Sequence, residues 1–238
     1  MQSKRVKNII YLLFLSVSLV LTPPGYADVD LGIEAYKAGN FEAATETWRS
    51  LALAGDPRAQ AFLGLMYIND SWIGRNVEEA VGWFRLAADQ GLALAQYRLG
   101  LMYATGEGVS SDQEEAVRWY RMAAEQGYAL AQYNLGVRYD NGDGVAQDSQ
   151  EAFRWYRMAA EQGDDDAQNN LGVMYASGTG VSQDKVEAYV WFSLAVENGN
   201  NEAARNRARL LLVRGSMLQG QAMTRKRLEE NPELLSKQ

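Results

Sequence analysis

Apolar positions along this chain recur with the period of an α-helix, in pairs of segments separated by glycine. Within residues 92–127, the first half carries an apolar face at i, i+4, i+7 and i+8: Ala95, Leu99, Met102 and Tyr103. The second half carries another apolar face, made of Ala116, Trp119 and Ala123, with charged residues of both signs on its remaining side. This stretch is therefore predicted to form two antiparallel helices, with the second one buried on most of its circumference.

The same stretch returns at a fixed spacing of 36 residues. The Leu-Gly pair occurs four times, at Leu63-Gly64, Leu99-Gly100, Leu135-Gly136 and Leu171-Gly172. The tryptophan of the second helix keeps the same spacing, at Trp83, Trp119, Trp155 and Trp191. A constant period of this length predicts a solenoid of stacked helix pairs. The glycine inside each first helix is unfavourable there and indicates close approach of the partner helix.

A loop with the pattern Gly-x-Gly-Val joins the two helices, as at residues 106–109. No Lys-Ser/Thr pair follows it, so the loop favours turn geometry over a phosphate-binding P-loop. Each loop leads to a predicted capping box, in which an N-cap side chain is followed three residues later by Glu: Asn76 with Glu79, Asp112 with Glu115, Asp148 with Glu151, and Asp184 with Glu187. These acids are therefore interpreted as helix starters and not as catalysts.

The pattern AQ-x-x-LG-x-MY-x-x-G-x-GV-x-x-D-x-x-EA-x-x-WY-x-x-AA-x-x-G resembles the Sel1-like repeat, a relative of the tetratricopeptide repeat. The resemblance extends from about Ala35 to Gly199. It implies an all-α fold, a right-handed α-solenoid of stacked helix pairs with terminal capping helices. It further implies a concave surface, lined by the first helices, that serves protein–protein interaction.

The chain divides into four predicted regions. Residues 1–27 are typical of a secretory signal peptide, with a basic start, a 13-residue apolar core from Ile9 to Leu21, and cleavage after Ala27. That core is shorter than the roughly 20 residues that span a bilayer, so no stable membrane anchor is expected after cleavage. Residues 28–55 form an atypical N-terminal cap, 56–199 the four repeats, and 200–238 basic C-terminal capping helices. We therefore expect a periplasmic or secreted protein.

Composition narrows the possible chemistry. The chain contains no cysteine and no histidine, which removes disulfides, thiolate metal sites and every nucleophile–histidine pair. Its net charge is −7, and residues 28–204 hold 12 basic against 27 acidic side chains. Such a body disfavours nucleic acid as a partner. We expect no cofactor, no metal and no enzymatic activity.

The binding surface expected from the resemblance lies opposite the core face of the first helices. In the middle repeats it contains Leu94, Tyr97, Arg98, Leu101, Leu130, Tyr133, Asn134 and Val137. The corresponding residues of the fourth repeat are Asp166, Asn169, Val173 and Ala176, so the strip becomes polar at that end. A strip of this kind suits an apolar helix face or an extended peptide. The alternative is that these side chains are buried by packing between successive first helices.

Three further features leave alternatives open. Trp72 replaces a loop glycine and is either packed onto the cap or exposed as a partner anchor. The oxygen-bearing side chains near residue 140 (Asp140, Asn141, Asp143 and Asp148) lack EF-hand spacing and favour turn and cap roles over calcium. Val186 and Val190 make the last repeat helix apolar nearly all round, which predicts either cover by the basic tail or a secondary partner contact.

The favoured function is an exported, non-enzymatic scaffold that binds a protein or peptide whose identity the sequence does not give. The first alternative is a structural or assembly component of an envelope complex, through self-association or as a machine subunit. The second is a cell-wall-acting enzyme, which would rely on carboxylates alone.

Overall fold

A computed structural model of the chain describes residues 26–68, 74–210 and 214–235. Over these ranges the chain forms twelve α-helices and one 3-10 turn, without β-strands. Their bounds are α1 Tyr26–Lys37, α2 Phe41–Leu53, α3 Pro57–Ile68, α4 Val77–Asp89, α5 Ala93–Thr105, α6 Gln113–Glu125, α7 Ala129–Asn141, α8 Ser149–Ala160, α9 Asp165–Ser177, α10 Lys185–Glu197, α11 Asn201–Arg209, α12 Arg214–Glu230 and the turn Pro232–Leu234. The predicted signal core lies outside the described residues.

The helices stack in sequence order as antiparallel pairs. Helices α3 to α10 form the four repeats; each pair packs internally, and its second helix also packs on the first helix of the next pair. The pair α1–α2 extends the stack at its N-terminal end, and α11 and α12 each pack on α10 at its C-terminal end. Because each helix from α1 to α11 contacts mainly its neighbours in sequence, the all-α solenoid predicted from the repeat is confirmed.

Polar N-caps start the second helix of every repeat. In the second repeat, Asp112 accepts a hydrogen bond from the backbone N–H of Glu115 at 3.0 Å. The reciprocal half of the predicted capping box is not formed. Instead, the backbone N–H of Asp112 donates to the carbonyl of Tyr103. The Glu115 carboxylate accepts from Arg118 and from the indole of Trp119. The glutamate therefore orients the tryptophan and not the cap.

The glycine in each first helix makes room for an aromatic ring of the second helix. A Cβ on Gly100 would lie 2.8 Å from a ring carbon of Tyr120, which is closer than atoms pack. Gly136 faces Tyr156 in the same way, at 2.7 Å. The predicted close approach is therefore made by an aromatic side chain, and Tyr120 and Tyr156 are almost completely buried under it.

Buried glutamines form a ladder through the stack. Gln96 and Gln132 are each about 1% exposed, and each donates to a carbonyl in the preceding second helix. Each also accepts from a glutamine in the turn after the following second helix, Gln126 and Gln162 respectively, at 2.7 Å. This ladder satisfies polar groups that helix ends leave open inside the stack.

The C-terminal segment folds back on the last repeat. Helix α12 packs against α10, and the buried side chain of Leu234 joins the same apolar cluster as Trp191 and Leu194. The Leu234 carbonyl accepts hydrogen bonds from Gln168 and Asn198, so the tail continues the amide ladder. The final repeat is therefore closed by the chain itself.

Candidate partner-binding face

We call the surface of the first repeat helices that lies opposite their core face the first-helix face. Its residues are Leu94, Tyr97, Leu101 and Ala104 of α5, Leu130, Tyr133, Val137 and Asp140 of α7, and Asp166, Asn169, Val173 and Ala176 of α9. The next first helix, α11, continues it with Glu202 and Arg205 at the equivalent positions. The face runs across several repeats because the fixed period brings equivalent positions of successive helices side by side.

Part of this face is used by packing. Leu94 is 5% exposed and Tyr97 is 9% exposed. The Tyr97 ring lies 5.3 Å from the ring of Tyr128, which precedes helix α7, and 6.0 Å from that of Tyr120. Burial raises the pKa of the Tyr97 hydroxyl. Leu94 and Tyr97 therefore form the floor of the face and present little surface of their own.

The remaining apolar residues of the face are more accessible. Leu101, Leu130, Tyr133 and Val137 are half-buried. On helix α9 the exposed fraction of Val173 rises to 44%. A half-buried apolar strip thus crosses three consecutive repeats and opens toward the C-terminal end.

Tyr133 connects the apolar strip to a cluster of acids. Its ring lies 6.0 Å from Tyr156. Burial, aided by the negative charges of Asp166, Asp164 and Asp165, raises the pKa of the Tyr133 hydroxyl to about 12. By the repeat period, Asp164 occupies the position that Tyr128 holds beside Tyr97. The aromatic character of the face therefore gives way to negative charge between the third and fourth repeats.

Asp164 is the N-cap of helix α9. Its carboxylate accepts from the backbone N–H of Ala167 at 2.8 Å. Burial nevertheless raises the pKa of Asp164 to about 7, and the neighbouring Asp166 and Asp165 add to the effect. On the following helix pair, Asn200 donates to the carboxylates of Asp165 and Asp166. This end of the face, which we call the acidic end, consists of Asp164, Asp165, Asp166 and Glu202.

Arg98 lies at the other end of the strip, on helix α5. Its Nε and Nη2 atoms are buried, and neither has a hydrogen-bond partner among the described residues. The guanidinium carbon lies 5.9 Å from the centre of the Tyr97 ring. Its positive charge partly offsets the effect of burial on the pKa of Tyr128, which is raised to about 12. The equivalent Asn134 is satisfied locally, donating to the Leu130 carbonyl at 2.7 Å.

The sequence-based candidates outside this face have different environments. Trp72 lies outside the described residues. Val186 is half-buried, and Val190 is completely buried in an apolar cluster with Met223 and Leu228 of helix α12. The contact made by Val190 is therefore with the chain's own tail.

The acids near residue 140 are engaged within the protein. Asp148 caps helix α8 by accepting from two backbone N–H groups. Asp143 lies 3.6 Å from the Arg138 guanidinium and accepts from Asn141. Across the described ranges, no group of three or more acidic side chains is arranged to hold a metal ion.

Tyr128 is the residue of this site that the repeat pattern did not single out. It lies in the turn before helix α7, where the pattern of helical positions carries no signal. Its equivalents are Leu92, Asp164 and Asn200, so comparing that column between repeats is the one sequence signal that marks it.

Within the described ranges, no helix combines the length and apolarity needed to cross a bilayer.

Comparison with known proteins agrees with this architecture. The family model of the Sel1 repeat matches four consecutive segments, residues 57–92, 93–128, 129–164 and 165–200. No curated protein sequence matches the chain significantly.

Solved structures that are similar over most of the chain include the following two. A protective antigen present in uropathogenic Escherichia coli strains, displaying an SLR fold, is 32% identical with a TM-score of 0.79. The match covers 88% of this chain and 47% of the antigen, so this chain spans about half of the antigen's length. A Sel1 repeat protein from Oxalobacter formigenes is 35% identical with a TM-score of 0.73, covering 83% of this chain and 84% of the other.

Proposed function

This chain belongs to the Sel1 repeat family, and we propose that it is an exported scaffold that binds a protein or peptide through its first-helix face. Proteins of this family are generally interaction scaffolds and typically not enzymes. We further propose that the binding surface is the concave side of the solenoid and that the protein is located outside the cytoplasm.

The observation that carries the proposal is the accessible apolar strip formed by equivalent positions of successive first helices. Leu101, Val137 and Val173 occupy equivalent positions in three successive repeats, and accessibility rises along the series from half-buried to 44% exposed. Apolar surface that a stacked repeat leaves uncovered on one face favours contact with another macromolecule. The half-buried Tyr133 adds an aromatic group of the kind enriched at binding hot spots.

The export part of the proposal rests on residues 1–27. The basic residues Lys4, Arg5 and Lys7 precede the apolar core, and small residues at Gly25 and Ala27 suit cleavage. Determining the N-terminal residue of the protein recovered from a cell envelope fraction tests it. A start at Asp28 is expected, whereas recovery of the uncleaved chain from the cytoplasm would contradict export.

Site-specific photo-crosslinking tests the face itself. A benzoylphenylalanine is placed at Val173 on the first-helix face or at Met122 on a second helix, since the two side chains are similarly exposed, at 44% and 39%. Crosslinks in intact cells to the same identified partner are expected from position 173 and not from 122. Equal yields from the two positions would contradict the assignment of the face.

The self-association alternative is tested separately. The sequence suggested this alternative through an apolar Val186–Val190 surface, but Val190 is buried against the tail. Light scattering of the purified protein, from low to high micromolar concentration, distinguishes a monomeric scaffold from an assembly component. A concentration-dependent dimer would favour the alternative.

A further inference from the structure

An arginine, a glutamate and a tryptophan meet on the solvent-facing side of the second helices. In the second repeat, Arg118 pairs with Glu115 at 2.6 Å, and its guanidinium lies 5.3 Å from the centre of the Trp119 ring. The same carboxylate accepts from the indole of Trp119, which is only 5% exposed. The equivalent residues of the third repeat make the same contacts. The arginine therefore covers the tryptophan and fixes the glutamate.

The last repeat has a valine in place of this arginine and takes one from a separate helix. Arg227 of helix α12 pairs with Glu187 and lies 4.9 Å from the centre of the Trp191 ring. Leu234, just beyond that helix, belongs to the same apolar cluster as Leu194. A helix that brings an arginine and a nearby apolar residue is thus a ligand that a second helix of this solenoid accepts from outside its own repeat.

The first repeat also lacks the arginine, and no described residue takes its place. Gly82 occupies the position, and a Cβ added there would meet no atom within 4 Å. Glu79 is exposed, and its carboxylate has no partner among the described residues. Trp83 remains half-buried, and its indole nitrogen lacks an acceptor within the same ranges. Leu86 is 50% exposed, whereas the equivalent Leu194 of the last repeat is completely buried.

The arginines on the surrounding elements have other contacts. On α4, in the turn before it and on the preceding second helix, Arg85 donates to the Tyr103 hydroxyl, Arg75 to Glu107 and Arg49 to the Tyr67 hydroxyl. On the two first helices that pack against α4, Arg58 pairs with Asp30 and Arg98 lies against the Tyr97 ring. The carboxylate of Glu79 and the side chain of Leu86 therefore remain available to a ligand from solvent.

We propose that Glu79, Gly82, Trp83 and Leu86, which we call the α4 site, dock an arginine carried by a helix of a partner protein. The guanidinium binds the exposed Glu79 carboxylate through two parallel hydrogen bonds, as Arg227 binds Glu187. It lies over the solvent-facing part of the Trp83 ring, not on the buried indole nitrogen. An apolar side chain of the same helix covers Leu86.

The α4 site lies on the second helices, so this inference goes beyond the proposed function of the first-helix face. It also defines the chemistry of the ligand. Arginine fits the site better than lysine, because its planar group can stack on a ring and bind a carboxylate with two donors at once. The helical form of the ligand follows from the way α12 uses the equivalent site of the last repeat.

Gly82→Arg tests the α4 site by filling it from within the chain, since it installs the residue type of Arg118. Gly82→Ala is the matched control, because it leaves the site open. Glu79→Gln removes the charge of a carboxylate that has no partner in the described chain, so this variant should fold like the wild type. A phage-displayed library of helical peptides is selected on each full-length protein, and the bound peptides are sequenced.

Wild type and Gly82→Ala should select peptides with an arginine and an apolar residue on one helical face. These peptides should bind Gly82→Arg and Glu79→Gln about tenfold more weakly, since the charge-assisted contact is blocked or lost. Citrulline in place of the arginine, which keeps the shape without the charge, should weaken binding to wild type similarly. The assigned indole N–H signal of Trp83 in the NMR spectrum should shift with the arginine peptide and not with the citrulline peptide.

Three results would overturn the inference. If arginine peptides bind Gly82→Arg as tightly as wild type, they dock elsewhere, for example by displacing α12 from the last repeat. If the selected peptides show no preference for arginine, the proposed chemistry of the ligand is wrong. If wild type self-associates in light scattering and Gly82→Arg does not, the site serves a second copy of this chain and not a partner protein.

Discussion

Arg227 near the C-terminus forms a bidentate ion pair with Glu187, which lies 40 residues earlier in the chain. Its Nη1 and Nη2 atoms donate to the two carboxylate oxygens at 3.2 and 3.1 Å. The guanidinium also lies 4.9 Å from the centre of the Trp191 ring. In the preceding repeat the same arrangement is made within one helix, where Arg154 binds Glu151 and covers Trp155. Val190 occupies the equivalent position in the last repeat, so the tail supplies the missing arginine.

Arg227→Ala should therefore release the C-terminal helix. The substitution removes a bidentate, partly buried contact and uncovers Trp191, and we expect a loss of about 1–3 kcal/mol in the unfolding free energy of this end. Hydrogen exchange should show faster exchange in α12 and α10 and unchanged exchange in α5. Lys226→Ala is the control, because its long and exposed ion pair with Glu230 contributes little. Equal effects of the two substitutions would contradict the anchoring role.

The glycine of the first helices should not tolerate a methyl group. Gly100→Ala places a Cβ against the Tyr120 ring, and we expect a destabilisation of about 1–3 kcal/mol from overpacking. Gly82→Ala is the matched control in helix α4, since no neighbouring atom lies within 4 Å of its added Cβ. That change should stabilise by about 0.5–1 kcal/mol through helix propensity. Denaturation by urea measures both, and a neutral Gly100→Ala would show that the ring moves freely.

Ionisation of Asp164 should lower the free energy of unfolding as the pH rises. Because burial raises its folded pKa to about 7, above the ordinary value of 3.8, the folded state holds the proton more tightly than the unfolded state. Its contribution is therefore favourable in acid, is lost between about pH 4 and pH 7, and stays lost above that range.

Asp164→Asn should remove this dependence while keeping the cap, as the equivalent Asn200 caps helix α11. At pH 8 we expect a gain on the order of 1–2 kcal/mol in unfolding free energy, with a flatter profile between pH 4 and 7. Asp112→Asn, at the exposed cap of α6, serves as the control. A wild-type slope that persists in Asp164→Asn would contradict this assignment.

The buried glutamines of the ladder should contribute more to the free energy of unfolding than exposed glutamines do. Gln132→Leu removes the donor to Ala124 and the acceptor of Gln162, leaving buried polar groups unpaired. We expect a loss of about 2–4 kcal/mol in thermal or chemical unfolding. Gln147→Leu is the control, because that side chain is exposed. Similar losses from the two changes would show that the ladder adds no specific stability.

The repeat pattern predicted some residues of the first-helix face correctly and others not. The period alone placed Leu101, Val137 and Val173 in one column, and the structure has them half-buried to exposed. It also placed Leu94 and Tyr97 on the face, but both are largely buried, and the ring of Tyr128 from the turn before α7 lies against that of Tyr97. A turn residue has no helical phase, so its contact was invisible in the pattern.

The helices, their pairing and their stacking follow from the repeat pattern, because each of these depends on contacts between residues close in the chain and repeated every 36 positions. The roles of the chain ends and of the residues that depart from the pattern became visible in the folded chain, because they depend on contacts between distant residues. The contact of Arg227 with Glu187 spans 40 residues, and Leu234 joins the amide ladder 66 residues after Gln168. Such long-range contacts break the repeat, so no periodic pattern encodes them.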